Sequence, residues 1–277
     1  MMITTAALIR DTFREAFARK IFWGLFALST LMILFFLFIL KIDVVEGAIA
    51  TVTLFGRPAG PRGGVDVDRL VRNVYGGIAT FLYTWGMALS VFASAGLIPS
   101  VLEPGRIELL LSKPVSRLHI LLGRFLGNVA VVACNVAYLV LGIWTIFGVK
   151  TGVWGPQFLW AIATTVFIFA VLLTVVVLVG VVFESAALAT MVTIALGLVS
   201  PILAQTTTMV RLLSSELARD VWRALYHALP KVYDLGRLTL DLVRREPAGD
   251  LTPVFSSALF GAAALSLALY IFSRRDF

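Results

Sequence analysis

The sequence predicts an all-α, polytopic membrane protein: six transmembrane helices, an N-terminal amphipathic elbow helix and a cytoplasmic coupling segment. Three observations carry that expectation. Of the 277 residues, 60% are apolar and 14% charged, whereas a soluble domain has about 45–50% and 25%. The mean hydropathy is +0.96. Apolar runs of about 20 residues, the length that crosses a hydrocarbon core, recur six times. This composition excludes a disordered chain. A lone cysteine, Cys134, excludes an internal disulfide framework. The net charge of +7 reads as contact with anionic lipid head groups.

Residues 1–277 read as one transmembrane domain. In residues 3–20, Ala6, Ile9, Phe13 and Phe17 form a stripe, while Asp11, Arg14, Glu15 and Arg19 fall opposite it. Such a helix lies in the membrane interface, and Glu15 and Arg19 make an i,i+4 pair of opposite charge. The spans follow at about 21–40, 77–100, 118–147, 157–183, 186–205 and 254–272. The first is too long, and lacks the small-residue site, for a cleaved signal peptide. Glu184 and Ser185 alone separate spans four and five, which predicts a tight hairpin.

Orientation follows from the basic residues near span ends. Arg19–Lys20 abuts span one and Arg274–Arg275 closes span six, so both tails are placed inside, although thirteen of the 23 lysines and arginines then fall outside. Those thirteen sit mostly in two long loops, where charge counts for less. Within the spans, Arg124 is the single Asp, Glu, Lys or Arg side chain. A transporter that titrates its own carboxylate needs one near the midplane, and none is there. Gly86, Ser90 and Ser94, then Gly123 and Gly127, then Ala258, Ala262 and Ser266 recur every four residues. They are expected to pack helices within the chain, ahead of forming a dimer seam.

The loop 41–76 is rich in Gly, Pro and mixed charge and reads as irregular. Its Asp66 and Asp68 are expected in ion pairs with Arg62, Arg69 and Arg72 rather than on a cation. In the loop 206–253, Leu213, Leu217, Val221, Leu225 and Ala228 mark one helix face. That helix starts near Thr207 or Thr208 and stops at Pro230. Leu235, Leu238 and Leu242 mark a second helix ending before Pro247. The pair is expected to rest on the outer leaflet or to cap the bundle. His227 and His119 are distant in sequence, and with one cysteine no metal or nucleophile constellation can be assembled.

Between spans two and three, Pro104-Gly105 makes a turn, a short helical stretch follows, and Pro114 stops it. The contiguous Leu109 to Leu111 suggests a contact surface as readily as a connector folded back on the bundle. The string Glu103-(x)-Gly105-Arg106-Ile107-Glu108-Leu109-Leu110-Leu111-Ser112-Lys113-Pro114-Val115-Ser116-Arg117, followed by Leu122-Gly123-Arg124-Phe125-Leu126-Gly127, resembles the permease subunits of type-2 ATP-binding-cassette (ABC) transporters. The likeness is nearest the branch that contains the nitrous-oxide-reductase-maturation permease. Arg14-Glu15-(x)3-Arg19-Lys20 resembles the family's elbow, and the end Ser273-Arg274-Arg275-Asp276-Phe277 is similar as well.

The resemblance implies a homodimer of six-span subunits in the plasma membrane, coupled to cytoplasmic ATPase subunits. Partner contacts are then expected at Glu15, Arg19, Glu103, Gly105, Arg106, Glu108, Ser112, Lys113, Pro114 and Arg117. No G-x-x-x-x-G-K-[ST] occurs in the sequence, so the chain has no phosphate loop of its own. No catalytic residue, cofactor or metal is expected on this chain; ATP and Mg belong to the partner. Membrane lipid is an expected partner and nucleic acid is not. The expected function is an ATP-driven export permease. The alternative left open is a non-transporting scaffold or regulator that anchors an ATPase.

Overall fold

The computed structural model describes residues 20–45, 49–54, 57–58, 65–95, 117–213, 215–247 and 249–274. Within them the chain is nearly all helical. Helix α1 (Lys20–Leu34) runs into a π-helical turn, Phe35–Ile39. Helix α2 (Val67–Phe81) continues through a second π-helical segment, Leu82–Gly86, into α3 (Met87–Ala95). Helix α4 (Arg117–Thr151) follows. A 3-10 turn (Pro156–Leu159) then leads into α5 (Trp160–Phe183), and α6 spans Ala186–Ala204. The short helices α7 (Thr206–Leu212), α8 (Glu216–Ala228) and α9 (Val232–Arg244) precede α10 (Thr252–Ser273). Five of these segments are long and apolar enough to cross a membrane: Val67–Phe92, Leu118–Thr151, Pro156–Phe183, Ala186–Ala204 and Thr252–Ser273. The apolar stretch Trp23–Ile39 is shorter.

Helix α5 is the axis of the bundle. It is the most apolar helix and buries residues all round, from Ala161 to Val181, as a helix enclosed by others must. Helices α10, α6, α4, α3 and α9 pack around it. Lipid tails are as apolar as leucine, so close approach rather than hydrophobicity holds such helices together. At Gly261 of α10 an added Cβ would sit 3.7 Å from Thr174 and Val171 of α5. The seam of α1 on α4 is more varied. Ser29 donates to the Asn135 side-chain oxygen at 3.1 Å, Phe26 stacks on Tyr138, and Ile33 fills the space beside Gly142.

Helix boundaries follow local chemistry. Asp66 N-caps α2, accepting from the Arg69 backbone amide at 2.8 Å. Arg62, one of the ion-pair partners expected for it, lies outside the described residues. Helix α4 ends where Gly152 adopts φ 74° and its amide returns to the Gly148 carbonyl. Glu184 takes φ 53° to close α5, and Ser185 caps α6 through the Leu188 amide.

Four features depart from the sequence reading. The segment read as an irregular loop contains strands β1 (Leu40–Val45), β2 (Ile49–Leu54), β3 (Arg57–Pro58) and β4 (Val65–Asp66). β1 and β2 pair antiparallel from Leu40↔Leu54 to Val45↔Ile49, while β3 and β4 pair with β2. Alternation in Leu40-Lys41-Ile42-Asp43-Val44 is the strand signal, and the Gly/Pro-rich stretch beyond it obscured that signal. Helix α2 starts at Val67, ten residues before the expected span.

The helix expected from Thr207 to Pro230 is broken into α7 and α8 around Leu213, whose carbonyl accepts from Arg219 Nε at 2.8 Å. The small-residue stripe of the last span faces outward. Ala258, Ala262 and Ser266 are exposed, and Ser257, Gly261, Ala264 and Ala268 make the packed face. Both faces of α10 carry small residues, so spacing alone could not choose between them.

Candidate functional site

An apolar cavity of ≈ 200 Å³ lies between the π-helical segment and α3 on one side and α6 on the other. Tyr83, Thr84, Met87, Ala88 and Val91 supply one wall, and Thr193, Ile194, Gly197, Leu198 and Pro201 the facing one. Leu172 of α5 and Val232 of α9 complete the lining. No side chain in that lining carries a charge. The Thr193 hydroxyl donates to the Ala189 carbonyl at 2.8 Å, which spends its donor inside the helix and leaves an apolar wall. For comparison, an engineered apolar cavity of roughly 150 Å³ takes up benzene. Apolar groups the size of a short hydrocarbon segment fit such a space.

Both long walls depart from regular helix geometry. Leu82–Gly86 is a π-helical segment, a feature often found where a helix is locally strained or functional. Pro201 lies inside α6 and has no N–H to give the Gly197 carbonyl. A backbone acceptor without its ordinary helical donor therefore sits among the cavity's apolar side chains.

Helix α9 closes one end of the cavity through Val232. It is pinned to three neighbours. The Tyr233 amide donates to Ser200 Oγ of α6 at 2.9 Å, and the Lys231 amide donates to Ser257 Oγ of α10 at 3.0 Å. The Tyr226 hydroxyl of α8 donates to Asp234 Oδ2 at 2.9 Å. Burial, the Asp234 hydrogen bond and the nearby Asp234 and Asp250 charges push the Tyr226 phenol up to about 12. The Lys231 ammonium, on a residue only 5% exposed, sits 4.5 Å from the centroid of the Tyr226 ring. Asp250 accepts from the Thr252 hydroxyl at 2.7 Å and the Thr252 amide at 2.9 Å. Those bonds hold its carboxyl below the usual range.

Glycines set how deeply α9 sits. A Cβ on Gly236 would lie 2.7 Å from the Tyr83 ring, and one on Gly76 would lie 2.8 Å from Arg244 Nε. The two elements thus exchange a glycine for a large side chain in each direction. Sequence periodicity found the face Leu235, Leu238 and Leu242 but not that α9 is buried in the bundle; Leu235 and Leu238 are buried.

Of the expected partner-contact residues, Glu15, Arg19, Glu103, Gly105, Arg106, Glu108, Ser112, Lys113 and Pro114 lie outside the described residues. Arg117 opens α4. Arg124, near that end of α4, is 4% exposed, and its carbonyl accepts from Asn128 Nδ2 at 3.0 Å. Among the described residues no group of three His, Cys, Asp or Glu side chains is arranged to hold a metal. The cavity residues Tyr83, Thr84, Thr193 and Pro201 were not singled out from sequence. Pro201, a helix breaker inside an apolar run, is the signal that could have pointed there.

The ABC-2 family transporter protein model matches residues 6–277. No curated protein matches the chain.

Proposed function

Because the chain belongs to the ABC-2 transporter family and is a multi-pass membrane permease component rather than a catalytic one, we propose that it exports a hydrophobic or amphipathic substrate. The energy comes from ATP bound and hydrolysed, with Mg, on a separate cytoplasmic ATPase subunit, the partner that family membership implies. The observation carrying this reading is the uncharged cavity between the π-helical segment and α6. It belongs to a chain with neither a phosphate loop nor a midplane carboxylate. A path of this character suits lipids, amphipathic drugs or hydrophobic peptides better than ions, which lose too much hydration there.

In this reading two copies meet in the inner membrane with both termini cytoplasmic, and the substrate passes between them. The segment around Glu103–Arg117 and the elbow with Glu15 and Arg19 receive the ATPase. On the sequence reading alone, Gly105 and Pro114 would shape a compact knuckle and Glu103, Glu108, Lys113 and Arg117 would supply its partner contacts. Within the family the reading places the chain with the branch of the nitrous-oxide-reductase-maturation permease, on the resemblance carried by the sequence of residues 103–127.

The test uses the chain purified with its ATPase and reconstituted in vesicles. Hydrolysis should rise with amphipathic substrate, and Glu108→Lys should abolish that stimulation or loosen the subunits without changing the unfolding temperature. Coupled turnover and normal assembly in Glu108→Lys would remove the knuckle from the coupling path. Translocation by this chain without any nucleotide hydrolase would overturn the reading as a whole.

A further inference from the structure

One wall of the apolar cavity holds a backbone acceptor that its own helix cannot satisfy in the usual way. Thr193, Gly197 and Pro201 all line the space and follow one another four residues apart, so they share a face of α6. In a helix each carbonyl points toward the amide four residues on. The Gly197 carbonyl therefore points toward Pro201, which has no N–H to offer and whose ring crowds it. No heavy atom lies within 4 Å of the position a Gly197 Cβ would take, so the backbone there is uncovered.

The same wall supplies no substitute donor. The Thr193 hydroxyl donates to the Ala189 carbonyl at 2.8 Å, so toward the cavity its oxygen can only accept. Ile194 and Leu198, the other residues of this wall, are hydrocarbon. A desolvated carbonyl without a donor costs about as much as a lost hydrogen bond, and an occupant that brings one N–H or O–H recovers that loss. No carboxylate lines the space, so an ammonium would give up its hydration for a neutral acceptor, which disfavours it. The volume, ≈ 200 Å³, admits a ring with one polar substituent, since roughly 150 Å³ is enough for benzene.

We propose that the α6 wall selects an apolar molecule bearing one neutral hydrogen-bond donor, such as an alcohol, a phenol or an amide, by offering it the Gly197 carbonyl. The inference rests on reading this cavity as the substrate space, and it narrows the cargo from hydrophobic molecules at large to that class.

The full chain in nanodiscs of zwitterionic lipid is titrated with two rings of nearly equal shape, para-fluorophenol and para-fluorotoluene. The saturable part of each fluorine NMR signal gives an affinity, and Gly197→Leu, which fills the space, defines the remainder. Pro201→Ala restores an amide that occupies the Gly197 carbonyl. Comparing the ratio of the two affinities between wild type and Pro201→Ala cancels the unequal partition of the rings into lipid. The preference for the phenol should fall about fivefold in the variant, the size of one net hydrogen bond. An equal ratio in both proteins overturns the proposal, as does the absence of saturable binding by either ring. Tighter binding of para-fluorobenzylammonium than of para-fluorobenzyl alcohol overturns the neutral-donor assignment.

A second readout needs no variant. The isotopically labelled carbonyl carbon of Gly197 should move downfield when para-fluorophenol binds and stay in place with para-fluorotoluene. Movement with both alike, or with neither, overturns the assignment. ATP hydrolysis by the reconstituted complex separates this inference from the export reading. A donor preference in binding without stimulation by either ring upholds the site and removes the cavity from the export path. Equal stimulation by both rings upholds the path and overturns donor selection.

Discussion

The Lys150 ammonium, at the end of α4, lies 2.8 Å from the Phe36 carbonyl oxygen and 2.6 Å from the Leu37 carbonyl oxygen. Both carbonyls belong to the π-helical turn that ends α1. The last carbonyls of a helix have no donor within it, and a cation at that end satisfies them and opposes the dipole. One lysine therefore fastens the finish of one helix to the finish of its neighbour. Lys150→Met should cost about 1.5–3 kcal/mol, the range for hydrogen bonds to a charged group. Unfolding in mixed micelles measures it, and an unchanged midpoint would show that other donors serve those carbonyls.

Gly236 lets α9 approach the Tyr83 ring of the π-helical segment closely, a Cβ there falling 2.7 Å from it. Gly236→Ala places a methyl group against the ring and should destabilise by about 1–3 kcal/mol. Adding Tyr83→Leu should recover much of that loss, because the two residues share one space. Strict additivity in the double variant would mean that the clash is relieved elsewhere.

Gly197 behaves oppositely. No heavy atom lies within 4 Å of the Cβ position there, although the residue lines the cavity. Gly197→Ala should raise stability by up to about 1 kcal/mol through helix propensity. Gly197→Leu should leave the midpoint near the original and fill the space. In the reconstituted complex, substrate-stimulated ATP hydrolysis should then fall several-fold. Full stimulation with a filled cavity would remove this space from the path.

Burial of the Tyr226 phenol, with its hydrogen bond to Asp234, makes stability depend on alkaline pH. The phenol's folded value, about 12, stands above the ordinary tyrosine value of 10.0, so the folded state favours the protonated form. The contribution is complete below pH 10 and is lost as pH rises toward 12. Tyr226→Phe should therefore lie below the wild type at pH 8, with the gap narrowing across that interval. Thermal midpoints of both proteins against pH check it. A gap that widens with pH would contradict the direction of the shift.

Much of the architecture was legible before any coordinates. Apolar run length is dictated by the thickness of hydrocarbon, so α4, α5, α6 and α10 are read directly from sequence. The turn at Glu184 and Ser185 follows from two polar residues between apolar runs. The amphipathic faces of α8 and α9 were legible because those helices contain enough polar residues to show a period. The strands β1 and β2 carried their alternation as well, but they follow a membrane run without a break and were absorbed into a loop.

What the linear chain could not specify is which surface each helix turns toward its neighbours. Inside a bilayer both the lipid-facing and the buried sides are apolar, so periodicity carries little information. The Ala258 stripe and the Gly261 face of α10 differ by three residues, and close packing against Thr174 and Val171 selects the latter. Likewise α8 and α9 have similar patterns, yet α9 enters the bundle and α8 stays outside. Gly76 and Gly236 make room for Arg244 and Tyr83, and Ser200 and Ser257 receive backbone amides at the helix start. Those contacts join residues far apart along the chain. Only folding brings them within reach, and the cavity beneath α9 exists because they do.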